Sequence, residues 1–153
     1  MKSQWLFILS GILAGSFLPV QAGLNAMLGQ TVKHPIFAAF ASFVVGTVAL
    51  LAYLVLGGFE FRTAALASSA PPAVWLAGIL GAIYVSAIII LAPKLGTALT
   101  FSLIVLGQMS ASLVLDHFGL LGLPVKTVNW PRIVGALSLI LGVVLIRRYW
   151  PRN

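Results

Sequence analysis

Few side chains in this sequence can do chemistry, and most of those that can are uncharged. There are two acids, Glu60 and Asp116, two histidines, His34 and His117, and no cysteine among 153 residues. Without cysteine there is no disulfide framework and no thiolate metal site. The scattered acids and histidines have no metal-ligand spacing either. No Gly-x-Ser-x-Gly elbow, phosphate loop or clustered acid–base pair occurs. The chain therefore reads as a non-enzyme that holds no cofactor and no metal. Asp116 and His117 are adjacent and could titrate near neutral pH, which makes them candidates for coupling. The plainer reading is a surface pair that ends a helix. What remains are amides and hydroxyls. Gln21 and Asn25 are four residues apart and share one helical face with Ser10 and Ala14. Gln108 follows Gly107, with Ser112 one turn on, and Tyr84 stands alone in an apolar run. Such groups offer neutral hydrogen bonds to a polar solute.

The elements that must position them are membrane-spanning helices. Apolar residues make up 61% of the chain and charged ones 7%, and mean hydropathy is +1.12. A soluble domain carries about 25% charge, so this chain could not cover a water-facing surface. Disorder is excluded for the same reason. A crossing needs about 20 apolar residues for roughly 30 Å of hydrocarbon. The charges bracket stretches of that length, which predicts five helices near 5–28, 35–57, 73–92, 95–115 and 131–149. The chain is thus an all-α integral membrane protein, one domain over 1–153. The fifth helix is the shortest, with 14 residues between Arg132 and Arg147. Trp130 and Trp150 flank it as interfacial anchors, and Arg132, Arg147 and Arg148 can snorkel outward. Lys2, the run Trp5–Leu18 and Pro19-Val20-Gln21-Ala22 have the shape of a secretory signal. The charge-free stretch continues through Leu24, Ala26, Met27 and Leu28, so a span is the reading taken.

The connections carry turn residues. Lys33-His34-Pro35 joins helices 1 and 2, and Gly57-Gly58 stops helix 2. The segment 59–72 is a polar loop. Pro93-Lys94-Leu95-Gly96 reads as a tight turn, and 116–131 as a loop ending at Pro131.

Polar groups in hydrocarbon must face protein or a water-filled cavity. Gln21 and Asn25 are the foremost candidates, with Gln108 and Tyr84 behind them, each weighed against a role as interhelical glue. Pro19 removes one helical hydrogen bond just before Gln21 and could kink helix 1 there. Small residues mark packing faces: Gly11 and Gly15 in helix 1, Ser42 and Gly46 with Ala38 in helix 2, and Gly135 and Gly142 with Ser138 in helix 5. No Asp, Glu, Lys, Arg or His lies mid-span, so a buried carboxylate that exchanges a proton for a cation is absent.

Five spans put the termini on opposite sides. One side then carries Lys2, Arg62, Lys126 and Arg132, the other Lys33, Lys94, Arg147, Arg148 and Arg152. Orientation follows the Lys/Arg bias of short loops, and here it nearly vanishes. Either the Arg-rich C-terminus decides for the cytoplasm, or copies insert both ways and pair antiparallel. Net charge is +7. The basic residues sit singly at helix ends, where phospholipid headgroups are the natural partner, and nothing points to nucleic acid.

The ordered set Gln21-x-x-x-Asn25, Pro35, Ser42-Phe43-x-x-Gly46, Pro93-x-Leu95-Gly96, Gly107-Gln108, Asp116-His117-Phe118-Gly119 and Gly135–Val143 resembles the YdcZ-type bacterial inner-membrane proteins. These are a small branch of the drug/metabolite transporter superfamily, and the resemblance covers essentially the whole chain. It implies a five-helix unit, half of a ten-helix inverted-repeat transporter fold. It implies assembly as an antiparallel pair, either a dual-topology homodimer or a heterodimer of paralogues. It implies transport of a small solute. The chain lacks the helix 1 glutamate of the small multidrug exporters, which argues against their proton/cation exchange. The expected function is a secondary transporter, an exporter of a small polar solute with a midplane cavity in an antiparallel dimer. An ion channel built from the same dimer, or an accessory membrane protein, is the alternative.

Overall fold

The computed structural model describes residues 2–149, and of Lys2 and Ser3 only the backbone. Trp150 and Arg152 lie outside the described residues. Five α-helices are present, and all five are long and apolar enough to cross a membrane. They are α1 (Lys2–Thr31), α2 (Pro35–Leu56), α3 (Leu76–Leu95), α4 (Thr97–Phe118) and α5 (Trp130–Arg148). Among the described residues there is no strand. Large apolar side chains such as Phe7, Phe17, Leu24, Ile83 and Leu141 stay exposed along the helices. In water that would be a liability. For helices solvated by lipid it is the required pattern.

The chain divides into two compact units, Met1–Lys94 and Leu95–Asn153. In the first, α1 and α2 form a hairpin. The connection is three residues long, with Lys33 at φ +54°. The His34 imidazole caps α2 by accepting from the Phe37 N–H at 3.2 Å. Pro35 sits at the first helical position, where its missing N–H costs nothing. Small residues set the spacing. A Cβ added to Gly29 would stand 3.3 Å from the Pro35 Cα and 3.7 Å from the Ala38 Cβ. Ala38, Ala39 and Ile89 are the buried core, with Leu28 and Val85 packed against it, so α3 docks on the hairpin there.

In the second unit α5 packs along α4. Gly119 ends α4 in the left-handed conformation, φ +59°, and a Cβ there would lie 2.6 Å from the Val125 Cγ2. The loop is pinned back by the Lys126 N–H, which donates to the Asp116 carbonyl at 2.8 Å. Asn129 caps α5 through its side-chain oxygen, 3.2 Å from the Arg132 N–H.

Several boundaries differ from expectation: α4 runs to Phe118 and not to 115, so Asp116 and His117 stand in its last turn and not in the loop. Pro93 and Lys94 belong to α3, and the α3–α4 turn is Gly96 alone at φ +78°. A proline gives up its own N–H bond and crowds the carbonyl four residues back, which the last turn of α3 tolerates, whereas the positive φ of Gly96 ends the helix. The polar run after helix 2 is not an irregular loop. It forms 3₁₀ turns at Phe61–Ser69 and Pro72–Trp75. There Thr63, Ser68 and Ser69 donate their hydroxyls to carbonyls three residues back. Finally, α1 runs unbroken through Pro19 to Thr31, past the expected 28.

Candidate functional site

The α1–α2 hairpin brings a polar cluster together by its register. Each step of four residues back along α1 meets a step of four forward along α2. Gly29 meets Ala38, and Asn25 meets Ser42. One turn deeper, Gln21 and Gly46 line the same cavity. The Asn25 Nδ2 donates to the Ser42 Oγ at 3.3 Å, and the Gln21 Nε2 donates to the same oxygen at 3.4 Å. Asn25 is buried, 8% exposed, while Gln21 is exposed to the cavity side. Both bonds are long, so the trio is loosely closed and easily opened. Beside it lies a cavity of about 230 Å³, lined by Gln21, Ser42, Phe43, Gly46, Thr47 and Val85. Gln21 stands ten residues from the end of α1, roughly 15 Å at 1.5 Å per residue, which is about half of a 30 Å hydrocarbon layer.

Other expected residues fall elsewhere. Tyr84 is half-buried on α3 and engaged in an interaction, but it is not among the residues lining this cavity. Ser10 is satisfied locally, its hydroxyl donating to the Phe7 carbonyl at 2.9 Å. Gly11, Gly15, Gly46, Gly135 and Gly142 all face open space, since a Cβ at each would meet nothing within 4 Å.

In the second unit Gln108 is exposed on α4 and has an interaction of its own. Asp116 and His117 both tie down the α4–α5 connection. The Asp116 Oδ2 forms an ion pair with the Arg132 Nη1 at 3.2 Å, with both side chains about a third exposed, 31% and 33%. The same Nη1 donates to the Lys126 carbonyl at 3.0 Å. His117 accepts from the Val128 N–H at 3.2 Å through Nδ1, and packs edge-on against Phe118. Among the described residues no group of three or more His, Asp or Glu could hold a metal.

Comparison with known proteins gives this geometry its setting. Residues 6–145 match the family described as "Putative inner membrane exporter, YdcZ". The chain belongs to the YdcZ family. One relative is the inner membrane protein YdcZ of Escherichia coli (strain K12), 31% identical over 137 residues, covering 90% of this chain and 91% of that protein. No solved structure matches the chain. This YdcZ-family chain is thus a multi-pass inner membrane protein of an exporter family.

Within the family member's own sequence, two site residues escaped the reading. Ser42 read as a packing residue, yet it is the shared acceptor of both amides. Arg132 read as a snorkelling anchor, yet it holds Asp116. The signal for Ser42 was available. A three-residue connection fixes an antiparallel hairpin, and counting equal steps outward from it lands Asn25 on Ser42.

Proposed function

We propose that this YdcZ-family protein is a secondary transporter that exports a small, uncharged or net-neutral polar solute. Two copies pair antiparallel with opposite orientations, and the solute is held by Gln21, Asn25 and Ser42. The observation that carries the reading is the convergence of both amides on one hydroxyl, beside a cavity about half-way through the hydrocarbon. Polar groups at that depth are unfavourable unless they do work or are fully paired, and these bonds are long enough to be exchanged for a solute's. No charged side chain lines the cavity, so a neutral solute suits it better than a strong cation. Its volume, about 230 Å³, lies below the roughly 300–1,000 Å³ of drug-sized sites. Gln108 and Tyr84 are further polar groups that the transport cycle would draw on. In such inverted pairs, rocking of one helix group against another supplies alternating access. The nearly balanced Lys/Arg distribution and the uncovered glycine faces of α1 and α5 support an inverted pair.

Counterflow in proteoliposomes tests the reading, using a labelled panel of polyols, sugars, amides and amino acids. At least one solute shows saturable counterflow, and Asn25→Ala lowers it by about ten-fold or more, as a lost hydrogen bond in a dry site requires. Flux without saturation or counterflow, accompanied by ion conductance, makes the protein a channel. No flux for any solute makes it an accessory protein. A thiol introduced after Asn153, in a chain free of native cysteine, reports orientation in intact cells. Equal labelling from both faces is expected, and labelling from one face alone removes the inverted homodimer.

A further inference from the structure

The α4–α5 hairpin carries a second polar feature, separate from the amide cluster. At its mouth Asp116 and Arg132 form the ion pair described above. Both side chains also line a cavity of about 290 Å³ that runs inward between the two helices. Its walls change character with depth. The charged pair is at the membrane boundary, two residues from the end of α4 and two from the start of α5. Ser112 follows one turn in, and Met109 and Leu113 supply apolar surface. Gly135 leaves room, since nothing lies within 4 Å of where its Cβ would be.

The pair has unspent bonding capacity. A guanidinium has five N–H donors in a planar fork. Arg132 uses Nη1 alone, toward Asp116 and the Lys126 carbonyl. Its Nε–Nη2 edge, the one suited to a bidentate carboxylate, makes no hydrogen bond among the described residues. The second oxygen of Asp116 is likewise without a partner there. Exposed pairs of this kind are held weakly, so ligand charges can replace either member's partner.

We infer that this ion pair and the cavity below it bind a small zwitterion with a short apolar side chain. The ligand ammonium goes to Asp116 and its carboxylate to the free edge of Arg132. The side chain runs down between Met109 and Leu113. A lone anion would gain Arg132 but face Asp116, and a lone cation would gain Asp116 but face Arg132. A zwitterion meets both members with opposite charge and adds none to the site. The inference shares the net-neutral solute class of the proposed function, and it assigns that solute a second docking place at the membrane boundary. It does not need the amide cluster to be the transport site.

The test is binding of tritiated L-leucine to the full-length protein in detergent. The competitors are 3-methylbutylamine, which lacks the carboxylate, and 4-methylpentanoate, which lacks the amine. Saturable leucine binding is expected, with each half-ligand competing about ten-fold or more weakly. Asp116→Asn and Arg132→Gln each weaken leucine binding by a similar factor, while Ser10→Ala, whose hydroxyl bonds only to its own helix, does not. Because the charge variants also loosen the loop, Ser112→Leu serves as the second variant. It keeps the pair, fills the cavity and loses leucine. Absence of saturable binding overturns the inference, as does a half-ligand that competes as well as leucine. Retention of binding in Ser112→Leu overturns it too. Loss in Asn25→Ala with retention in Asp116→Asn puts the zwitterion at the amide cluster, which upholds the proposed function and sinks this second site.

Discussion

The two hairpins solve the same problem with different polarity. The α1–α2 hairpin turns in three residues and carries neutral hydrogen bonds deep in the layer, where Gln21 and Asn25 donate to Ser42. The α4–α5 hairpin turns through residues 119–129 and keeps its charges at the mouth, where Asp116 meets Arg132. The contrast follows from solvation. An amide loses a few hydrogen bonds to water when it enters hydrocarbon, and one hydroxyl can replace part of them. A charge loses far more, so it stays where water and headgroups reach. A tight turn suffices when the helices meet through small residues. A long loop is needed when side chains and backbone of the connection must themselves be tied to the helix ends.

The largest test of this contrast exchanges the polarity. Gln21→Glu changes shape very little and adds a carboxylate about half-way through the layer. An acid at mid-span costs about 2.5–3.5 kcal/mol. Asp116→Asn, at the mouth, removes a pair worth about 0–1 kcal/mol. Thermal unfolding in detergent micelles or bicelles should therefore show a much lower midpoint for Gln21→Glu than for Asp116→Asn. Equal shifts would mean that Gln21 is not in a dry place.

Next in size is the spacing of the tight hairpin. Gly29→Leu forces side-chain carbons against the Pro35 Cα, the Ala38 Cβ and the Ile89 Cγ2, all within 4 Å of the first added atom. Overpacking of this kind costs about 1–3 kcal/mol. Gly135→Ala, where nothing lies within 4 Å, should be nearly silent in the isolated chain. If Gly135→Ala instead lowers the unfolding midpoint as much as Gly29→Leu does, another copy covers α5 at that point.

Much of this was legible in the sequence, for reasons that differ by residue. Span number followed from charge spacing, because a charge cannot sit in hydrocarbon cheaply and so marks each crossing's end. The importance of Gln21 and Asn25 followed from their helical spacing in an otherwise apolar run. Their partner did not, because Ser42 is common in both packing seams and polar clusters, and pairing depends on hairpin register. Pro93 misled, because the residue type records a missing donor and the helix could spare it. The role of Arg132 was hidden by its place near a helix end, where a snorkelling cation and a paired one read alike.

A smaller effect separates the two connections. Asn129→Ala removes the acceptor that caps α5, worth about 1 kcal/mol at an N-cap. His34→Ala removes the equivalent acceptor on α2, but the short turn and Pro35 still start that helix. Hydrogen exchange in the first turn should therefore rise more for Asn129→Ala than for His34→Ala. The reverse order would mean that the long loop is held by the Lys126–Asp116 backbone bond rather than by its cap.

The smallest effect is the most discriminating, because it reads the kind of interaction rather than its strength. A double-mutant cycle on Asn25 and Ser42 should give a coupling of about 0.6 kcal/mol, the usual size for interhelical hydrogen bonds in membranes. A cycle on Asp116 and Arg132 should give a similar figure, about 0.2–1 kcal/mol, for a pair a third exposed. Salt tells them apart. At 1 M ionic strength the screening length falls to about 3 Å, close to the 3.2 Å separation of the ion pair, so its coupling should shrink markedly. The amide–hydroxyl coupling involves no net charge and is shielded from ions by the helices and lipid, so it should hold constant. If the Asn25–Ser42 coupling fell with salt as steeply as the other, aqueous ions would be reaching the amide cluster freely. The difference in depth between the hairpins, on which the assignment of a dry neutral site rests, would then be lost.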